Sequence, residues 1–309
     1  MDYIEAVGFD MDYTLAVYRT EAERLTWKLA MQRVVKELDL PKEALELQYD
    51  PNFTLRGLVI DTTKGNILKL DRHKFVQRAV HGVRDLEHDE IREQYRNTLI
   101  RFQGKRFFAV DSLFERPEVH MYASLVDLLE RIKGGALGSR RYSRLFWTIR
   151  RCVDEVHADG SLKGLFMQDL SRYIEPLEGL GDMIHMLRSS GKKIFLLTNS
   201  EWSYVNKVMS YLLDNARAEY PSWRQYFDLI IVSSSKPDFF TSKAPFWELD
   251  PETGKKKEVV SGNLTKSRIY AGGNLKDFEE KWFFKGDKIL YVGDNIYSDI
   301  VRTKKRGTK

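Results

Sequence analysis

Two aspartates stand directly after a short apolar run near the start of the chain, in the stretch VGFDMDYTLA. The run Val7–Phe9 predicts a buried strand, and Asp10 and Asp12 follow at its end. Buried carboxylates are costly unless they are paired, hydrogen-bonded or bound to a metal ion. A carboxylate can also act as a nucleophile or as a general acid and base. The pair therefore predicts a site of chemistry at this strand end.

Three later apolar runs also end in polar residues. The run KKIFLL is followed by Thr198, FDLIIV leads to Lys236, and KILYV leads to Asp294 with Asp299 close behind. Helix-like patterns separate these runs, so we predict the α/β class, with a parallel sheet and helices on both faces. Ligands of open parallel sheets bind beyond the carboxyl ends of the strands. The sequence thus predicts one crevice that contains a nucleophile, a hydroxyl, a fixed cation and metal ligands.

The four motifs D-M-D-Y-T-L, L-L-T-N-S, K-P-D-F-F and G-D-N-I-Y-S-D resemble those of the haloacid-dehalogenase superfamily, in the order in which that superfamily carries them. The resemblance implies that Asp10 is a nucleophile that forms an aspartyl-phosphate, and that Asp12 is the general acid and base. It also implies a Mg²⁺ ion held by Asp10, Asp294 and the backbone carbonyl of Asp12, because hard oxygen ligands suit that ion.

The same resemblance assigns the remaining motif residues. Thr198 and Lys236 are expected to hold the phosphoryl oxygens and to stabilise charge in the transition state. Two roles stay open for Asp299, which either orients the water shell of the metal or pairs with Lys236. Each residue taken alone also has a plain structural interpretation, as a turn, cap or surface residue.

A narrower resemblance covers residues 4–305. Stretches such as RGLVIDTTKGNILKLD and CVDEVHADGSLK are similar to the cytosolic purine 5′-nucleotidases, which prefer IMP and GMP and act as phosphatases and phosphotransferases. The resemblance implies a purine site in which two rings sandwich the base, and its residues are Phe114, Arg150, Asp154 and His157. Lys163 is expected near the ribose and phosphate, and Asn199 and Ser200 are expected to add hydrogen-bond donors.

These base-binding assignments have simpler alternatives. Phe114 can be a core residue, and His157 can end a helix without a ligand. Arg150 and Arg151 are neighbours and can exchange roles. The residue types fit a purine, since arginine donates to O6 or N7 and aspartate accepts from a ring or sugar donor.

Two departures from the family pattern affect the expected specificity. The family reads N-T-L-F-N where this chain reads D-S-L-F-E, so Asp111 and Glu115 replace two amides. An ionised Glu115 only accepts hydrogen bonds, so it favours an N1–H or an exocyclic amine over O6. The charge of Asp111 disfavours a nucleotide effector. The chain also ends soon after the fourth motif, so the C-terminal part of the core is expected to be missing.

The order of the strand-like and helix-like runs along the chain predicts an inserted second domain. We expect a core in residues 1–78 and 161–309 and a mainly helical cap in residues 79–160. Residues 21–38 predict a helix that carries Leu25, Leu29 and Leu38 on one apolar face and that ends before Pro41. The stretch around DTTKGN predicts a hairpin with Gly65 and Asn66 at its turn.

Composition indicates a globular protein of the cytoplasm. The 309 residues carry a formal net charge of +5 and a single cysteine, Cys152, so an intrachain disulfide is impossible. No secretory leader or membrane-spanning run is expected. The short basic clusters at 254–258 and 302–309 are interpreted as solvated loops, so nucleic acid is not expected as a partner. Homo-oligomer formation is left open.

Three functions follow from these observations. The first is a Mg²⁺-dependent 5′-nucleotidase that hydrolyses purine nucleoside 5′-monophosphates, with phosphoryl transfer to a nucleoside as a side activity. The second is a phosphatase of another small phosphate ester. The third is a nucleotide-binding protein without catalytic activity.

Overall fold

The computed structural model describes residues 3–54, 57–102, 104–266, 268–282, 284–295 and Asp299. Its α-helices, in chain order, are α1 (Thr20–Leu38), α2 (His88–Tyr95), α3 (Arg116–Lys133), α4 (Ser139–Ala158), α5 (Ser161–Gln168), α6 (Leu170–Tyr173), α7 (Leu180–Ser189), α8 (Trp202–Leu213) and α9 (Leu275–Trp282). Short 3₁₀ helices cover Lys42–Glu46, Leu113–Glu115, Trp223–Tyr226, Asp238–Phe240 and Gly286–Lys288.

The strands are short and are distributed along the whole chain. In chain order they are β1 (Ala6–Phe9), β2 (Val17–Tyr18), β3 (Leu58–Asp61), β4 (Asn66–Leu70), β5 (Val76–His81), β6 (Arg84–Asp85), β7 (Phe107–Val110), β8 (Ile174–Glu175), β9 (Lys193–Leu197), β10 (Leu229–Val232), β11 (Phe246–Leu249), β12 (Lys256–Val259), β13 (Ile269–Gly272) and β14 (Ile289–Val292).

The chain divides into two compact units. Unit 1 comprises Met1–Arg19 and Phe166–Lys309, and unit 2 comprises Thr20–Leu165. Residues 20–78, which were expected in the core, belong to unit 2. The reason is that α1 packs on α3 and α4, and that β3 and β4 pair with strands of the same unit.

Unit 1 is built on a seven-stranded sheet in the order β12-β11-β13-β10-β9-β1-β14. The pairs from β13 to β14 are parallel, with Ala6 of β1 opposite both Lys193 and Ile289. Strands β1 and β10 are buried along their whole length, as expected where helices cover both faces of a parallel sheet. The predicted α/β class with a mostly parallel sheet is confirmed. The carboxyl ends of the parallel strands consequently lie along one edge.

Unit 2 contains an antiparallel sheet as well as helices. Its strand order is β6-β5-β4-β3-β7, and the sheet packs with α2 around a cluster that includes Leu68, Tyr95 and Phe107. The predicted hairpin is confirmed with Gly65 in its turn, whereas Asn66 is the first residue of β4 and pairs with Asp61 of β3. Strands β5, β6 and β7 extend that hairpin to a sheet of five strands.

Helix α1 confirms the predicted helix but not its predicted buried face. The buried side chains include Trp27, Met31 and Val34, while Leu25 and Leu29 are only partly buried. The Trp27 ring stacks on His120 of α3 with 5.0 Å between ring centroids. The large aromatic side chain therefore sets the face that this helix turns toward its own unit. Among the described helices, none is both long and apolar enough to cross a membrane.

Candidate active site

A tight turn presents the two aspartates at the end of β1. The backbone N–H of Asp10 donates to Val292 O at 2.9 Å, which extends the pairing of β1 with β14 by one residue. The N–H groups of Leu15 and Ala16 both donate to Met11 O at 2.9 Å, so the chain folds back immediately. The Met11 N–H donates to Asp10 Oδ1 at 2.7 Å. This turn fixes one oxygen of Asp10 and leaves the other facing the sheet edge.

Lys236 binds the second oxygen of Asp10. Its Nζ lies 2.9 Å from Asp10 Oδ2, 2.9 Å from Asp299 Oδ1 and 2.6 Å from the hydroxyl of Tyr291. The Lys236 side chain is only 2% exposed. A lysine ammonium has three N–H donors, and each has an acceptor here. One cation therefore compensates two buried carboxylates. Of the two roles left open for Asp299, the structure shows the pairing with Lys236.

The amide of Asn199 holds the loop that carries Lys236. Asn199 Oδ1 accepts from the Lys236 N–H at 2.6 Å and from Ser234 Oγ at 2.9 Å, and its Nδ2 donates to Lys236 O at 2.9 Å. Thr198, fully buried after β9, accepts from the Ser200 N–H at 3.2 Å. The predicted role of Asn199 as a substrate donor stays a prediction, and the contacts described here all go to the loop.

Asp12 is held through both carboxyl oxygens. The hydroxyl of Tyr18 donates to Oδ1 at 2.5 Å, and Ser200 Oγ donates to Oδ2 at 2.7 Å. Glu201, not Ser200, occupies the N-cap position of α8, and its side chain makes no capping hydrogen bond. The Ser200 hydroxyl is directed to Asp12 instead.

Three carboxylates converge at the same sheet edge. Each of Asp10, Asp294 and Asp299 offers an oxygen, and these three atoms lie within 4.8 Å of one another. Such an all-oxygen set fits a hard divalent cation such as Mg²⁺. Gly293 allows this approach, because a Cβ at that position would lie 2.4 Å from Asp299 Oδ2. The predicted contribution of the Asp12 backbone carbonyl stays a prediction.

The burial of Asp10 changes its protonation. Desolvation raises the pKa of Asp10 to about 7, with Asp12 and Asp299 adding to the increase and Lys236 opposing it. A divalent cation beside the carboxyl group would favour the ionised form. The carboxyl group of Asp10 would therefore be ionised more readily with a divalent cation bound beside it.

The predicted aromatic residues of the base site, Phe114 and His157, contact each other in unit 2. Their ring centroids are 5.4 Å apart and their planes cross at 78°. A base sandwiched between them would have to separate the rings. Burial lowers the pKa of His157 to about 4, and Lys163 and Arg150 contribute to this decrease. His157 is thus neutral near pH 7, and its buried Nε2 has no hydrogen-bond partner among the described residues.

Arg150 is surrounded by carboxylates. Its Nη1 lies 2.8 Å from Glu115 Oε1 and 2.9 Å from Glu118 Oε2, and its Nη2 lies 3.3 Å from Asp154 Oδ1. Arg151 is 51% exposed and pairs with Glu37 and Glu155. Of the two neighbouring arginines, Arg150 is thus the less exposed one.

Glu115 and Glu118 complete this cluster in different ways. Glu115 Oε2 accepts from the N–H groups of Asp111 and Ser112, so Glu115 also closes a capping box before α3. Desolvation raises the pKa of the fully buried Glu118 to about 8, although Arg150 opposes the shift. The cluster therefore binds Arg150 with more carboxyl groups than one cation can neutralise.

Four contacting residues were missed from the sequence. The Tyr18 hydroxyl donates to Asp12 and contacts the hydroxyl of Tyr204. Tyr291 accepts from Lys236, and Glu118 pairs with Arg150. Tyr291 was the only one with a usable signal, since it precedes the fourth motif by two positions on a strand that ends at the site. Tyr18 and Tyr204 lie outside the four motifs given above, so no local pattern identifies them.

Comparison with known proteins gives consistent matches. The chain matches the 5′ nucleotidase family over residues 1–308. It is 32% identical over 319 residues to a 5′-nucleotidase domain-containing protein of Dictyostelium discoideum, covering 100% of this chain and 53% of the relative. It is 30% identical over 309 residues to human 5′-nucleotidase domain-containing protein 2, covering 96% of this chain and 57% of the relative. The chain thus spans about half the length of the curated relatives it matches.

A solved structure also aligns with the whole chain. A predicted phosphoglycolate phosphatase from Haemophilus somnus 129pt is 14% identical and covers 100% of this chain and 84% of its own, with a TM-score of 0.38.

Proposed function

We propose, on the premise that this chain belongs to the 5′-nucleotidase family, that it is a phosphoric monoester hydrolase acting on purine nucleoside 5′-monophosphates. The observation that carries the proposal is the convergence of Asp10, Lys236 and Asp299 at one sheet edge, with Asp294 beside them. A nucleophile, a fixed cation and a set of hard ligands are what phosphoryl transfer through a carboxylate requires.

The first step forms a bond between an oxygen of Asp10 and phosphorus while the bond from phosphorus to the ester oxygen breaks. Asp12 gives its proton to the departing oxygen, which leaves as an alcohol. Lys236 is placed to stabilise the phosphoryl oxygens together with Thr198, and a phosphoryl oxygen would take the place of one of its present acceptors. The product of this step is an aspartyl-phosphate on Asp10.

The second step returns the enzyme to its starting state. Water attacks phosphorus, the bond between Asp10 and phosphorus breaks, and the proton of water goes to Asp12. Asp12 is thereby ready to act as an acid in the next cycle. A nucleoside hydroxyl in place of water would give the phosphotransferase reaction, which we include in the proposal as a side activity.

We propose Mg²⁺ as the cofactor. Asp10 and Asp294 would hold it, with Asp299 next to them. When bound, it would screen the repulsion between the anionic nucleophile and the anionic phosphate. A cytoplasmic location is also part of the proposal, because a chain with one cysteine forms no internal disulfide.

We propose that the base of the nucleotide binds to Phe114, His157 and Asp154 in unit 2, with Lys163 near the ribose and phosphate. The neutral His157 offers a buried nitrogen to a ring N–H or N atom. The carboxylates around Arg150 support recognition of hydrogen-bond donors, such as an exocyclic amine, more than recognition of O6. We therefore propose that the site recognises a base edge that donates hydrogen bonds in preference to the O6 acceptor of IMP and GMP.

The proposal is tested by phosphate release from a panel of esters, measured with Mg²⁺ and with EDTA. We expect at least one purine monophosphate to be hydrolysed faster than glycerol phosphate and sugar phosphates, and EDTA to abolish the reaction. The Asp10→Asn variant should release no phosphate. A panel in which no purine monophosphate exceeds glycerol phosphate would refute the nucleotidase assignment, and equal release by wild type and Asp10→Asn would refute catalysis by this chain.

A further inference from the structure

We propose that Tyr18 and Ser200 are positioning residues that hold the carboxyl group of Asp12 in place for proton transfer, an inference that rests on the proposed function. The Tyr18 hydroxyl lies 2.5 Å from Oδ1 of Asp12, and Ser200 Oγ lies 2.7 Å from Oδ2. A carboxylate only accepts hydrogen bonds, so both hydroxyls donate to the ionised form. With one donor on each oxygen, the carboxyl plane can neither rotate nor tilt without losing a bond.

The donors are arranged as a chain with one direction. A tyrosine hydroxyl has one proton, and Tyr18 gives its own to Asp12. The 2.8 Å contact between the hydroxyls of Tyr18 and Tyr204 is then donated by Tyr204. Burial raises the pKa of both phenols well above the ordinary range, so both keep their protons at neutral pH. Tyr204 therefore donates to Tyr18, and Tyr18 donates to the carboxylate of Asp12.

Three separate elements of unit 1 supply these groups. Tyr18 belongs to β2, which pairs with β8, and its ring lies 5.0 Å from that of Tyr13 and 5.8 Å from that of Phe166. Tyr204 projects from α8 and is 1% exposed. Ser200 lies in the connection between β9 and α8 and is also buried. Because each group is fixed by its own element, the position of Asp12 does not depend on its turn alone.

This arrangement matters most for hydrolysis of the aspartyl-phosphate. In that step the oxygen of water bonds to phosphorus, the bond to Asp10 breaks, and Asp12 must receive the proton of water. A displacement of about 1 Å in a reacting group can cost on the order of a hundredfold in rate. With p-nitrophenyl phosphate the departing phenolate needs no proton, so a misplaced Asp12 should slow the second step and spare the first.

The experiment measures the fraction of the chain carried as aspartyl-phosphate during turnover of p-nitrophenyl phosphate. Reactions of the wild type, Tyr18→Phe and Ser200→Ala are quenched in acid at steady state. The phosphorylated fraction is then measured by mass spectrometry of the intact chains. We expect hydrolysis to slow about tenfold in each variant, with a matching increase in the phosphorylated fraction. Tyr204→Phe should show a smaller effect, because it removes a donor to Tyr18 only.

A matched control separates positioning from folding. Tyr226 is another buried tyrosine of unit 1, and its hydroxyl has no hydrogen-bond partner among the described residues. Tyr226→Phe should therefore leave both the turnover and the phosphorylated fraction unchanged. The phosphorylated fraction is expressed relative to the active chains. A variant that is only destabilised therefore has a lower turnover rate but no higher phosphorylated fraction.

The outcomes distinguish a failure of the positioning role from a failure of the proposed function. The positioning role would be overturned if both Tyr18→Phe and Ser200→Ala had the turnover rate and the phosphorylated fraction of the wild type. It would also be overturned if turnover slowed without accumulation of the aspartyl-phosphate. Should Tyr18→Phe fail to fold, Ser200→Ala and Tyr204→Phe carry the same comparison. A wild-type chain that hydrolyses no phosphate ester and forms no aspartyl-phosphate would instead overturn the proposed function, and the positioning role with it.

Discussion

The ammonium nitrogen of Lys236 lies 2.9 Å from Oδ2 of Asp10, and both side chains are buried. The pair joins the first and third motifs, which are more than 220 positions apart in the chain. Lys236 also lies 2.9 Å from Asp299, so the same cation joins the fourth motif to the other two. Ion pairs of one lysine thus hold residues of three motifs together.

Replacing Lys236 with methionine should reduce both stability and activity. The substitution leaves Asp10 and Asp299 buried without their cation, and breaking one side of a buried ion pair typically costs about 3–5 kcal/mol. We expect a loss of about 3 kcal/mol in the free energy of unfolding, measured with urea, and at least about a hundredfold loss of phosphatase rate. Lys243→Met, at an exposed loop position, should change neither quantity. Unfolding curves that coincide for wild type and Lys236→Met would contradict this account.

Gly293 is expected to control the position of Asp299. An added Cβ would lie 2.4 Å from Asp299 Oδ2, so Gly293→Ala must displace that carboxylate. We expect the affinity for Mg²⁺, measured by titration calorimetry, to fall about tenfold or more, in line with losses seen when supporting groups of metal sites are removed. Gly262→Ala is the matched control, since an added Cβ there meets no atom within 4 Å. Equal Mg²⁺ affinity in Gly293→Ala and Gly262→Ala would exclude Asp299 from the metal site.

The four motifs could be located from sequence because each lies at or shortly after the end of an apolar run. Short fully buried strands leave their polar residues at the strand end, and the parallel topology collects those ends at one edge. The supporting tyrosines could not be located in this way. Tyr18 and Tyr204 contact each other across 186 positions, and neither contact is encoded in local spacing.

The division into units was harder to predict for a related reason. A helical period marks residues 21–38 as amphipathic, but it does not say which other helices will cover the apolar face. The choice of Trp27 over Leu25 and Leu29 depends on His120, which lies far away in sequence. Strands β5 and β6 carry polar residues such as Gln77, Arg78 and Arg84, so they become recognisable only through their pairing with the hairpin.

The base preference should respond to Glu115. In Glu115→Gln the side chain can still accept from the N–H groups of Asp111 and Ser112, but it loses its charge beside Arg150. The guanidinium is then more available to an acceptor such as O6. We expect the ratio of IMP to AMP hydrolysis, measured as kcat/KM, to rise about tenfold, which is the scale of one altered polar contact.

A glutamate of the same local type provides the control for that substitution. Glu90 closes the capping box of α2 and pairs with Arg84, but on the surface. Glu90→Gln should leave the ratio unchanged. An unchanged ratio in Glu115→Gln as well would mean that Glu115 serves only the cap of the 3₁₀ helix before α3.

His157 should give the folded protein a characteristic pH dependence. Its pKa is lowered by burial to about 4 in the folded chain, against an ordinary value of 6.5. Between these values the unfolded chain binds more protons than the folded one, so stability rises with pH across this window and is lost as pH falls from 6.5 toward 4. The contribution of this single residue is about 1.4 kcal/mol for each pH unit. His157→Gln should remove that slope from the free energy of unfolding, measured with urea at a series of pH values, whereas substitution of the exposed His88 by glutamine should retain it. A slope that persists in His157→Gln would show that the acid sensitivity arises from other groups, and that His157 does not present a neutral ring to a ligand through burial.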